Sequence, residues 1–266
     1  MLRGAWGLAD RDDGVSNRID TRFGIASVGK TFTAVAVAQL AAAGRLRLDD
    51  PAARYAPDWL APAARAVTIA QLLEHRSGLG DFLGVVAADR SRRYERLEDY
   101  RAIAAADTPA FTPGSEFRYS NTGYLVLGAV IEKVSGEPWD RYLEKHVFRP
   151  PGSPAGGSAS TAEDLNAFGR ALRAGTLIPR AELDSLLMPR VEMAGTGRMY
   201  ARGFTVSREP RQRLWGHGGG FPGVSALLEV YEEDGWVLAV LSNTTEGAGI
   251  AGDAWRDLLS RGSSHP

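Results

Sequence analysis

The chain has 266 residues, of which 44% are apolar and 24% charged, with a formal net charge of −1. That length supports one large domain or two interleaved lobes around a sizeable core, and so balanced a charge gives no overall field favouring nucleic acid or an anionic membrane. Cysteine is absent, which excludes disulfides, thiolate metal sites and cysteine nucleophiles. The N-terminal segment Gly4–Phe23 reads as two short strands around a polar turn at 10–14. An alanine-rich stretch from Lys30 to Gly44, apolar nearly all round, predicts a helix buried in the middle of a domain, with Ser27 placed to cap it. The middle of the chain reads as helical: Thr68–His75, a charged surface helix over Ser91–Ala106, a buried one over Gly123–Val134, and another over Pro138–Phe148. A Pro/Gly/Ser break covers 149–158, and helices resume at Thr161–Arg173 and Arg180–Met188. From Met199 the pattern turns to strands, at Met199–Val206, Arg213–His217, Ser225–Tyr231 and Trp236–Ser242, before a closing helix at Ala254–Leu259. Strands at both ends with helices between them predict an α+β fold. Its antiparallel sheet would be formed from both chain ends with flanking helices, and a mostly helical lobe inserted.

The sequence as given opens MLRGAWGLADRDD, without the apolar run of a signal peptide, and no stretch approaches ~18 uninterrupted apolar residues. A cytoplasmic location with no membrane partner is therefore expected.

Residues 24–31, GIASVGKT, satisfy two motifs at once. Gly24, Gly29, Lys30 and Thr31 fit the phosphate-cradling G-x-x-x-x-G-K-[ST] loop, while Ser27 and Lys30 form an S-x-x-K pair. A phosphate loop follows a buried parallel strand and opens an alternating strand–helix fold. Here the preceding Ile19–Phe23 is short and half polar, and helix follows helix. The S-x-x-K alternative is physically coherent: residues three apart share a helix face, so a lysine can reach a serine hydroxyl and ease removal of its proton. Lysine occurs only at 30, 133 and 145, so Lys30 is not one of a crowd.

Two further segments supply partners. In FRYSNTGY, Tyr119 and Asn121 stand just before a predicted buried helix. A tyrosine held near a lysine can ionise more easily and act as a base, and an asparagine can bind a carbonyl or the lysine. In LWGHGGGFPG, His217 precedes Gly218, Gly219 and Gly220 at a strand end. Consecutive glycines there let backbone approach a ligand and leave N–H groups for a developing oxyanion. Trp215 and Phe221 flank this loop, while His75 and His146 have no second ligand at metal spacing and His265 lies in the tail, so no metal site or cofactor is expected.

S-x-x-K, then Y-x-N, then [KH]-x-G in this order resembles the serine β-lactamase and penicillin-binding protein superfamily, above all the branch with class C β-lactamases, DD-carboxypeptidases and related esterases. LDDPAARYAP, VTIAQLLEHRSGL, FTPGSEFRYSNTGYLVLGAVIEKVSG and SASTAEDLNAFGRAL fit the same branch. The resemblance implies a single β-lactamase/transpeptidase-like domain over 1–266, with an α/β lobe of about 1–50 and 160–266 and a helical lobe of about 51–159. It implies a serine hydrolase working through an acyl-enzyme on a small ester, amide or peptide substrate. Ser27 would be the nucleophile, with Lys30 and Tyr119 moving the proton. Asn121, His217 and Gly219 would bind substrate, and the N–H groups of Ser27 and Gly220 would form the oxyanion hole.

Three departures qualify this. His217 stands where lactamases carry lysine, which favours uncharged esters or amides over β-lactams and peptide C-termini. The segment Phe148–Ser160 is short, implying an open acyl side. The helix and first strand that usually precede GAWGLAD are not in the sequence as given, which implies either a sheet edge that a homodimer would cover or a cropped chain. A non-catalytic or weakly active relative that binds ligand in an open cleft is the alternative.

Overall fold

The computed structural model describes residues 2–89, 91, 93–147, 159–209 and 212–262. The break at 149–158, all of the short Phe148–Ser160 segment but Ala159 and Ser160, and His265 lie outside the described residues. Helix α1 (Gly29–Ala42) is alanine-rich and buried on every side, as its all-round apolar sequence requires. The chain leaves it through Gly44, whose φ of +68° only glycine adopts without strain. Helix α2 (Ile69–Leu73) starts at a full capping box between Thr68 and Gln71. It is followed by α3 (Phe82–Ala88) and α4 (Arg101–Ala106). Helix α5 (Asn121–Ser135) is capped by Ser120, whose Oγ accepts the N–H of Gly123 at 3.0 Å, and stops at left-handed Gly136. The helical part ends with α6 (Trp139–His146).

The main sheet comes from the C-terminal half. Strands β5 (Val191–Met193), β6 (Arg198–Tyr200), β7 (Thr205–Glu209), β8 (Gln212–Phe221), β9 (Val224–Tyr231) and β10 (Val237–Ser242) form an antiparallel meander in chain order. Helix α7 (Ala162–Arg173) and the closing α9 (Gly247–Gly262) pack on β9 and β10, and α8 (Arg180–Leu186) packs on α1. One apolar cluster runs from Ile25 through α1, α5 and α7 into β8 and β9, so the sheet and the helices share a core.

The α+β class with an antiparallel sheet and flanking helices is as the sequence predicts, but the sheet is not built from both chain ends. Strands β1 (Leu8–Asp10) and β2 (Val15–Ser16) pair only with each other among the described residues. They are too short, polar and exposed to bury a face; the Asn243 side chain ties them to the molecule by donating to the Leu8 carbonyl at 2.9 Å. Strand β3 (Phe23–Gly24) pairs instead with β4 (Ala159–Ser160), fixing the approach to Ser27. The charged helix expected over Ser91–Ala106 begins only with a tight turn at Leu97–Tyr100, because the Arg- and Glu-rich residues before it have no apolar face to bury. Ser27 does not cap α1: it sits in a 3₁₀ turn, Ala26–Val28, and no side-chain cap is formed.

Phe32 of α1 is fully buried and meets Phe168 of α7 edge to face, with centroids 4.6 Å apart. Phe32→Ala should cost about 3–5 kcal/mol of stability by denaturant titration, the range for emptying an aromatic site in a packed core.

Candidate active site

The 3₁₀ turn before α1 aims Ser27 at Lys30, one turn on. Lys30 Nζ lies 3.1 Å from Ser27 Oγ and donates to Asn121 Oδ1 at 2.6 Å, so the helix starts of α1 and α5 meet at one ammonium. The Asn121 amide nitrogen donates to Asp81 Oδ2 at 2.7 Å, and the other Asp81 oxygen caps α3 by accepting from Leu83 N–H. A carboxylate only accepts and an ammonium only donates, so the amide can face one way: oxygen to Lys30, nitrogen to Asp81. Tyr119 lies beside this chain, hydrogen-bonded to Ser27, with its ring centroid 4.9 Å from Lys30 Nζ.

Burial sets the proton affinities. Desolvation pulls Lys30 down to about 8, partly opposed by the Asp81 charge. The same desolvation pushes Tyr119 up to about 12; its bond to Ser27 opposes the rise and Asp81 adds to it. The expectation that Tyr119 ionises readily beside Lys30 is therefore corrected for the resting site: the phenol stays protonated, and the lysine is the group poised near neutrality.

Strand β8 closes the other side. A Cβ on Gly219 would lie 2.5 Å from the Ile25 carbonyl oxygen and 2.7 Å from the Ser27 nitrogen, so only glycine lets β8 come this close to the turn carrying Ser27. Gly220 follows at the exposed end of the same approach. His217 is buried beneath, pushed down to about 4 by desolvation first and by Lys30 second, against the Gly218 carbonyl. Both of its ring nitrogens are engaged within the protein, one with Gly218 O and one with the Tyr200 hydroxyl, so the ring supports the cleft floor. Trp215 belongs to the core, packed on Phe204 and donating to Glu232, whereas Phe221 is half exposed.

The structure thus brings Ser27, Lys30, Tyr119, Asn121, His217, Gly219 and Gly220 to one place. It adds three residues that sequence reasoning missed. Asp81 stands at a helix N-cap, a position where aspartate needs no function. Tyr200 is one aromatic of a strand, and His75 was placed on a helix with no ligand partner. All three lie in or near stretches whose pattern reads equally well as structure.

The family model described as Beta-lactamase matches residues 1–153 and 150–262, nearly the whole chain. The chain belongs to the β-lactamase family. Among its curated relatives, esterase EstB of Burkholderia gladioli is 39% identical over 57% of this chain and 42% of its own length. Penicillin-binding protein 4 of Amycolatopsis lactamdurans is 38% identical over 56% of this chain and 39% of its own. The chain therefore matches less than half the length of these relatives. A penicillin-binding protein structure from Bacillus halodurans superposes with a TM-score of 0.85 at 26% identity, covering 96% of this chain and 92% of that one. No helix among the described residues is long and apolar enough to cross a membrane.

Gly219→Ala should destabilise the protein by about 1–3 kcal/mol, as overpacking against backbone does, read by thermal or denaturant unfolding.

Proposed function

We propose that this β-lactamase-family chain is a serine hydrolase that forms an acyl-enzyme on an ester or amide, with esterase activity foremost, then DD-carboxypeptidase and β-lactamase activity. The observation that carries the reading is the Ser27–Lys30 pair: a nucleophile 3.1 Å from an amine held down to about 8, its one-way partner Asn121 fixed by Asp81. An ordinary lysine holds its proton until pH ~10; this one begins to release it near 8. The neutral amine takes the Ser27 proton as Oγ attacks the carbonyl carbon. The N–H groups of Ser27 and Gly220 receive the oxyanion, each such donor being worth about 3–4 kcal/mol in comparable sites. Tyr119, protonated at rest, passes its proton to the leaving oxygen or nitrogen and recovers one from Lys30. Water then attacks the acyl-enzyme by the reverse proton path, releasing acid and free Ser27.

The charge at the site supports the ranking. His217 is neutral and turned inward, and the Lys30 charge is countered by Asp81 one amide away, so neither of these two site residues offers a substrate carboxylate an uncompensated cation. A neutral acyl group meets no such mismatch. An esterase at 39% identity and a penicillin-binding protein at 38% both stand among the relatives, so the ranking rests on the charge at the site.

Hydrolysis of p-nitrophenyl butyrate should be lost in Ser27→Ala while the fold is retained by circular dichroism; unchanged turnover in that variant would sink the reading. The pH profile of kcat/KM should rise through about 8 as Lys30 sheds its proton. Because Asp81 raises the lysine's affinity, Asp81→Asn should move that limb to lower pH.

A further inference from the structure

Behind the cleft lies a set of buried polar rings that the proposed reaction does not use. His75 follows α2 with a φ of +55°, a left-handed conformation unusual for a side chain of its size, and its ring is fully buried. Its neighbours are Lys30 from α1, Glu74 beside it in sequence, Tyr119 and Tyr124 at the start of α5, Tyr200 of β6 and His217 of β8. The ring of Tyr119 rests on that of His75, with centroids 4.1 Å apart.

The hydrogen atoms in this cluster can be assigned from chemistry. The backbone N–H of Ser120 points at His75 Nδ1 at 3.1 Å, and an N–H can only donate. In the neutral ring Nε2 therefore carries the proton and donates to the Tyr200 hydroxyl at 2.9 Å. At the far end His217 Nδ1 contacts the Gly218 carbonyl, which can only accept, so that nitrogen carries the proton and Nε2 is bare. Tyr200 lies 3.3 Å from that bare nitrogen and also within hydrogen-bond reach of the Tyr124 hydroxyl, which gives its own proton to the Leu73 carbonyl at 3.0 Å. An imidazole nitrogen is the stronger acceptor of the two, so Tyr200 donates to His217. Burial keeps both imidazoles neutral, which this arrangement requires. The result is a one-directional relay: Ser120 N–H to His75, His75 to Tyr200, Tyr200 to His217, His217 to the Gly218 carbonyl. Reversing any member would set two hydrogens, or two lone pairs, against each other in a buried place.

The two ends of the relay give it meaning. Ser120 lies between Tyr119 and Asn121, and Gly218 opens the glycine strand that packs on Ser27. A core histidine satisfied by any nearby group would not need to join these two segments, nor to hold a strained backbone to do so.

We infer that His75 and Tyr200 are positioning residues, which through one ordered hydrogen-bond relay hold the Tyr119–Asn121 segment and the Gly218–Gly220 strand at the spacing the reaction needs. The kinetic side of this inference rests on the hydrolase reading above; the hydrogen assignments do not.

The test combines both. In ¹⁵N-histidine NMR of the intact protein, His75 should be the Nε2–H tautomer and His217 the Nδ1–H tautomer, neither titrating between about pH 6 and 8. Tyr200→Phe keeps the ring and removes the central hydroxyl. It should lower kcat about tenfold with KM within about twofold, and release His217 from its single tautomer. His75→Gln, which can still offer an N–H to Tyr200, should retain more kcat than His75→Ala. The double variant Tyr200→Phe with His75→Gln should be no slower than the slower single variant, since both cut one relay. An Nε2–H His217, an unchanged kcat in Tyr200→Phe, or losses that multiply in the double variant would each overturn the inference. If the wild type shows no Ser27-dependent turnover, the hydrolase reading falls, and the tautomers alone decide the relay.

Discussion

The arrangement depends on one lysine ammonium kept out of water. Lys30 is 8% exposed, and its desolvation is the largest influence on its proton affinity. Left without compensation, an ammonium so placed would cost several kcal/mol or simply lose its proton. Full compensation by a contacting carboxylate would fix the proton in place and remove the base. The protein does neither: the contacts are two neutral oxygens, of Ser27 and Asn121, and the carboxylate of Asp81 stands one amide further out. Inserting that amide lets the charge be felt at a distance, leaving the lysine close to neutrality. The all-round apolar character of α1 follows, because only a helix running through the core can carry its first turn to such a place.

Backbone strain is concentrated around the same point. Among the described residues, Ala26 and His75 are the non-glycine residues with positive φ, at +44° and +55°. One turns the chain so that Ser27 projects toward Lys30 rather than capping the helix. The other places an imidazole beneath Tyr119. Conformations that cost of order 1–3 kcal/mol persist only where their surroundings hold them. Here those surroundings are the shared core of sheet and helices and the close approach of β8 at Gly219.

Much of this was legible in the sequence, and what was not has physical reasons. The i, i+3 spacing of Ser27 and Lys30 reported a contact because helical geometry is local. The glycine run reported a close approach that the structure places at Gly219, where a Cβ would strike the turn carrying Ser27, while positions 218 and 220 have room for one. The long apolar helices were plain, while β1 and β2 were misassigned to the main sheet because two short polar strands give no clue to their partner. Asp81, His75 and Tyr200 escaped because their roles depend on who faces them across the fold, and a single sequence carries no record of that. The tyrosine's proton affinity was misjudged for a related reason: nearness to Lys30 could be inferred, but the depth of burial that outweighs it could not.

The one-way amide of Asn121 has a consequence for the age of the protein. Hydrolysis of that amide would exchange a neutral group for a carboxylate in contact with Lys30 and facing Asp81. The ammonium would then be held by a direct ion pair, while the two acids repelled each other across the helix starts. A preparation that had undergone this change would differ in mass by only about one dalton. Its lysine would stay charged through the neutral range, so the proton balance of this place rests on the amide that separates Lys30 from Asp81.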